Sequence, residues 1–128
     1  MRDEKSVLLI GVEPTLVDYS HPEHPYPGMD ATKVFAGLKS SEDELTRLGY
    51  SVQICFTDFG ETAEAVVQSV LKQKRFDCIL IGAGIRMIPS NFILFEKIIN
   101  VVHEHSPHAK ICFNTKPRDT VEAIQRWL

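Results

Sequence analysis

Apolar residues along this chain fall into two alternating periodicities. Four short runs are nearly continuous: Val7-Leu8-Leu9-Ile10-Gly11, Val52-Gln53-Ile54-Cys55-Phe56, Cys78-Ile79-Leu80-Ile81 and Ala109-Lys110-Ile111-Cys112-Phe113. Short, unalternated runs of this kind predict strands covered on both faces, as in a parallel sheet. Between them the spacing is helical. Val34, Phe35, Leu38, Leu45 and Leu48 form a stripe that stops at Gly49. Ala63, Val66, Val67, Val70 and Leu71 repeat at i, i+3, i+4, i+7 and i+8, with Asp58 or Thr57 as the expected cap and Glu61 completing a capping box. A third helix is expected from near Ser90 to before Pro107. Phe92, Phe95, Ile99 and Val102 would face the sheet, leaving Ile93, Leu94, Ile98 and Val101 over. The fourth starts near Pro117 or Asp119 and carries Val121, Ile124 and Trp127 to the chain end.

Four strand-helix units joined by right-handed crossovers predict an α/β fold: a doubly wound, open parallel sheet of four strands, order 2-1-3-4, with helices on both faces. One such domain is expected to span residues 1–128. The chain winds outward to strand 2 and then crosses back to strand 3, and ligands bind such sheets outside the carboxyl ends of the strands at that reversal, between strands 1 and 3. The expected site is therefore the loop after strand 1, roughly Val12 to Met29, and the loop after strand 3, Ala83 to Pro89. Asp58 and Asn114 stand at the ends of the flanking strands.

Composition narrows the class. The chain has 128 residues, 24% charged and 44% hydrophobic, which suits one globular core. A formal charge of -3 argues against nucleic acid held by bulk charge, and no apolar stretch approaches membrane-spanning length. Neither a nucleic-acid nor a membrane partner is expected. The residues after Met1 do not read as a signal peptide, and Cys55, Cys78 and Cys112 form no CxxC pair, so reduced thiols in the cytoplasm are expected.

The first loop is the most informative segment. At about eighteen residues it far exceeds the usual two to six of a βα connection, and Pro14, Pro22, Pro25 and Pro27 stiffen it. Long ordered loops at the functional edge of a sheet tend to bind ligands. His21-Pro22-Glu23-His24 has metal-ligand chemistry, but no third ligand is fixed by spacing; His103, His105 and His108 end a helix, where cations suit the dipole. No metal and no cofactor is implied. Gly82-Ala83-Gly84-Ile85-Arg86 could offer backbone N–H groups and a guanidinium to an anion. It is not a dinucleotide fingerprint, because Met87 stands where the third glycine belongs, and no GxxxxGK[ST] occurs.

The alternation and length resemble a response-regulator receiver or a flavodoxin-like domain over nearly the whole chain. A receiver carries an acidic pair after strand 1 and a phospho-accepting aspartate after strand 3. Here Glu13 stands alone and Gly82-Ala83-Gly84 replaces the acceptor, while Asn114-Thr115-Lys116 matches the receiver's hydroxyl and lysine only loosely. A flavodoxin places a Ser/Thr/Gly-rich phosphate loop where this chain is proline-rich. The resemblance therefore implies the fold and not those activities.

The leading expectation is a binding domain for a small anionic metabolite, held by Glu13, Asp18, His24, Gly82, Gly84, Arg86 and Asn114. One alternative is a small hydrolase or lyase using Glu13, His21 or Asp58, with Arg86 as anion clamp. Another is an interaction module without ligand. The surplus apolar face of the third helix and the open edge of strand 4 add the expectation of a homodimer.

Overall fold

The computed structural model describes residues 4–24 and 26–128; Met1–Asp3 and Pro25, one of the four loop prolines, lie outside it. The strands β1 (Ser6–Val12), β2 (Ser51–Thr57), β3 (Cys78–Ile81) and β4 (Lys110–Phe113) form one parallel sheet. Its order is β2-β1-β3-β4, as expected from three crossovers of one hand. Helices α1 (Ala31–Arg47), α2 (Ala63–Gln73), α3 (Ala83–Arg86), α4 (Phe92–His105) and α5 (Thr120–Gln125) alternate with the strands. Short 3₁₀ turns lie at Pro14–Leu16, Pro89–Asn91 and Pro117–Asp119.

Strand alternation divides the core in two. Leu8, Ile10, Ile79 and Ile81 pack with Val67 and Leu71 of α2 and with Leu94, Ile98 and Val102 of α4. Val7, Leu9, Cys78, Leu80 and Cys112 pack with Leu45 of α1 and with Ala123 and Ile124 of α5. Both faces of the central strands are thus covered, which is why β1 and β3 read as unbroken apolar runs. Each fully buried Leu or Ile side chain contributes about 1.5–3 kcal/mol. Among the described residues no helix is long and apolar enough to cross a membrane.

Four local expectations are corrected. Helix α2 begins at Ala63, later than a cap at Asp58 or Thr57 requires, because Gly60 at φ +126° turns the chain before the helix starts. The stretch after β3 is not a loop throughout: Ala83–Arg86 forms a helical turn. In α4 the fully buried positions are Leu94, Ile98, Val101 and Val102; of the expected stripe Val102 is among them, Phe95 and Ile99 are partly buried against the same core, and Phe92 is exposed. The physical reason is that α4 packs against α2 as well as the sheet, so most of its apolar circumference is covered within the chain. Only Phe92 and Ile93, at 63% and 56% exposure, stand clear on its first turn. Finally, α5 ends at Gln125, short of Trp127, which is 51% exposed; Thr120, Ala123 and Ile124 are its buried positions and Val121 packs against the same core.

Candidate functional site

Helix α1 packs unevenly on its sheet face. Its C-terminal half seats Ser41 and Leu45 fully, whereas Val34 and Leu38 nearer its start are only half-buried. The space beneath that N-terminal half is a cavity of about 110 Å³. Val34 and Leu38 form its roof, Leu9, Gly11, Ile54, Phe56 and Leu80 of the sheet its floor. Gly82, Ala83, Gly84, Asn114 and Thr120 also line it, together with Tyr19, His24, Tyr26 and Met29 of the long loop. It lies at the carboxyl ends of β1 and β3, where the order of strand addition reverses. Gly11 follows Leu9 by two on the same face of β1, and a Cβ built there meets nothing within 4 Å. Gly82 is different: a Cβ there would stand 3.2 Å from the Ile10 carbonyl oxygen.

The long loop is tied down at both ends. Glu13 receives a hydrogen bond from the Thr15 N–H at 2.7 Å and another from the Thr15 hydroxyl, closing the Pro14–Leu16 turn. The Tyr19 hydroxyl donates to the Pro14 carbonyl at 2.8 Å. Further on, the Tyr26 hydroxyl donates to the Thr115 carbonyl, bridging the loop to the turn after β4. The His24 ring lies between the two tyrosines, edge-on at 5.1 Å from Tyr19 and 6.0 Å from Tyr26. Burial raises the pKa of both tyrosine hydroxyls, so they enter these contacts as neutral donors.

Asn114 organises the part of the wall after β4. Its buried Oδ1 accepts from the Ala83 N–H at 2.9 Å, and its Nδ2 donates to Thr120 Oγ1 at 3.1 Å. Its carbonyl accepts from the Arg86 guanidinium, which also lies 5.4 Å from the Phe113 ring centre. One side chain thereby joins β4, α3 and α5.

Of the residues expected to bind, the structure brings His24, Gly82, Gly84 and Asn114 to the cavity wall. Glu13, Asp18 and Arg86 are not part of that wall. The acids do not converge on Arg86. Glu13 serves Thr15, Asp18 accepts from the Ser20 N–H at 3.0 Å and hydroxyl at 2.6 Å, and Asp58 accepts from Gly60 and Thr62. Hydrogen bonds from Thr62 and Gly60 hold Asp58 below the usual carboxylate range. Among the described residues, no hydrogen bond or ion pair links Glu13, His21 or Asp58 to one another or to Arg86. Nor are the amides after β3 open to an anion as a group: Gly82 donates to Ile10 and Ala83 to Asn114.

His21 and His24 each use Nδ1 to accept the N–H two residues ahead, at 3.1 and 3.3 Å, which is a turn geometry. Among the described residues no three His, Cys, Asp or Glu side chains gather in a metal-holding group.

Sequence reading missed Gly11, Val34, Leu38, Phe56, Tyr19 and Tyr26 as wall residues. Gly11 had a legible signal: it sits at the carboxyl end of the first apolar run, on the face opposite Ile10. The α1 residues had none, because their stripe is indistinguishable from one seated on the sheet. No protein-family model matches this chain, and no curated protein matches it.

Proposed function

We propose that this domain binds a small molecule with a predominantly apolar body, held between α1 and the sheet at the carboxyl ends of β1 and β3. The observation that carries the reading is the cavity over Gly11, where a side chain is missing and the neighbouring helix has not closed the gap. Its volume, about 110 Å³, is slightly below that of an engineered 150 Å³ cavity that binds benzene. A single ring or a short branched chain is the matching size. The polar groups around it, Tyr19, His24, Asn114 and Thr120, would orient a ligand rather than supply most of its affinity.

The anionic ligand is kept as a second reading on one observation: Arg86 Nε is buried and has no acceptor among the described residues. An acidic head reaching past Tyr26 would satisfy it. Against a purely ionic ligand stands a wall that, among the described residues, has no lysine or arginine. A homodimer through Phe92 and Ile93 is likewise proposed on their exposure, and light scattering tests it: a monomer mass at micromolar concentration ends that proposal.

The test is a thermal-shift screen of single-ring and short aliphatic compounds, with and without carboxylates, on the wild-type chain and on Gly11→Val. A native-state ligand raises the melting temperature by mass action, about 2.7 kcal/mol at a hundredfold excess over Kd. Hits that stabilise the wild type and not Gly11→Val are expected. No hit, or equal shifts in both proteins, overturns the reading.

A further inference from the structure

A second concavity of about 340 Å³ lies on the other side of His24. Val17, His24 and Ile88 line both spaces and form the partition between them. The outer groove is bounded by Leu16, Asp18 and His21 of the long loop, Phe59 after β2, and Ser90 and Asn91 before α4. It opens to solvent, and its volume falls in the range of ordinary small-molecule sites, roughly 300–1,000 Å³.

Two features give it a chemical preference. Leu16 and Phe59 are exposed large apolar side chains, so the groove leaves hydrocarbon and an aromatic ring in water. Asp18 supplies its charge. The Ser20 hydroxyl and N–H both donate to Asp18 Oδ1, which holds the carboxyl below its ordinary range and leaves Oδ2 without a partner among the described residues. Among the described residues no lysine or arginine lines the groove. Lys97, on α4, stands beside Glu64 at 3.9 Å, and the other ionisable lining groups, His21 and His24, each spend Nδ1 on a backbone N–H. An anionic site fixed by its own turn, beside an aromatic face, complements an organic cation: the ammonium meets the carboxylate and the hydrocarbon covers the ring.

We propose that the outer groove is a separate binding site for a small organic ammonium ion, its nitrogen on Asp18 and its apolar body against Leu16 and Phe59. This goes beyond the inner cavity and does not depend on it. Asp18, read from sequence as a contact for an anionic ligand, becomes the counter-ion of a cation.

The probe is 2-phenylethylamine, with 2-phenylethanol as its neutral counterpart of similar shape, titrated into the isotopically labelled full chain and followed by amide chemical shifts. The amine is expected to move the amides of residues 16–21 and 59–60, leaving Gly11 and Leu38 unmoved, and to bind roughly tenfold more tightly than the alcohol, as one charge-assisted contact would give. Asp18→Asn keeps an acceptor for the Ser20 N–H, so the turn survives, and it should abolish that preference. The proposal is overturned if amine and alcohol bind alike, if Asp18→Asn leaves the preference intact, if nothing binds at millimolar concentration, or if the shifts gather at Gly11 and Leu38. That last pattern would assign the amine to the inner cavity and leave its proposed function standing.

Discussion

Replacing Gly11 by alanine should stabilise this protein, and replacing Gly82 by alanine should do the reverse. The two glycines lie at the carboxyl ends of neighbouring strands and face the same cavity. Neither has a positive φ, so backbone conformation does not require glycine at either. At Gly11 the new methyl meets no atom within 4 Å. Relieving a glycine in a strand gains about 0.5–1 kcal/mol, and a buried methyl adds at most about 0.8 kcal/mol. Gly11 is half-buried, so the methyl term is discounted and the sum is about 1 kcal/mol. For 128 residues, at roughly 2.1 cal/mol/K of unfolding entropy per residue, that is a rise of about 4 °C. At Gly82 the methyl would press on the Ile10 carbonyl, which already accepts the Gly82 N–H at 2.9 Å and cannot retreat without distorting β1. Overpacking of that kind costs about 1–3 kcal/mol. Urea and thermal unfolding of the two variants measure the difference. If Gly11→Ala lowers stability by 1 kcal/mol or more, or if Gly82→Ala is neutral, the cavity is not where this geometry puts it.

Asn114→Ala should lose about 2 kcal/mol, because it strips the acceptor from the buried Ala83 N–H, while Asn114→Asp, which keeps that acceptor, should lose less; equal losses would refute the role assigned to Oδ1. Acid should weaken the fold in a defined window. Asp18 and Asp58 are held below their ordinary value by hydrogen bonds; in Asp119 burial pushes upward but the Thr115 and Lys116 donors prevail. Groups depressed in this way stabilise fully above their unfolded pKa, near 3.8, and lose that contribution as pH falls through the folded value. Urea midpoints should hold from pH 7 to about 5 and drop below about 4; constancy down to pH 3 would contradict this. The thiols should be inert in the native state. Burial pushes Cys55 up to about 11. The contact between Cys78 and Cys112, 3.5 Å between sulfurs, lowers the Cys78 thiol and, with burial, raises that of Cys112. Cys78 is thus protected by its complete burial rather than by its pKa. A thiol reagent at pH 8 should therefore titrate all three cysteines in urea and none without it, and one fast native thiol would refute the packing of that pair.

The sheet was legible because its determinants are local and repeated. Continuous apolar runs at residues 7–10 and 78–81 can satisfy their surroundings only between two layers of helix, and the single hand of crossovers then orders four strands with little choice. The edge where the long loop and Gly82-Ala83-Gly84 meet follows from that order. What the sequence could not decide is where each helix sits in rotation and tilt. The apolar circumference of α4 admits several stripes, and the presence of α2 beside it buried Leu94, Ile98 and Val101 along with Val102 while leaving Phe92 exposed. The partners of the polar side chains were equally beyond reach. Asp18 and Asp58 bond within two to four residues, because a near donor costs less entropy to hold than a distant arginine, whereas Asn114 reaches 31 residues back to Ala83. The cavity depends on one further tertiary fact, that α1 seats its C-terminal half on the sheet and leaves Val34 and Leu38 standing over a glycine. No pattern along the chain encodes that gap, because an apolar residue facing empty space reads the same as one facing a neighbour.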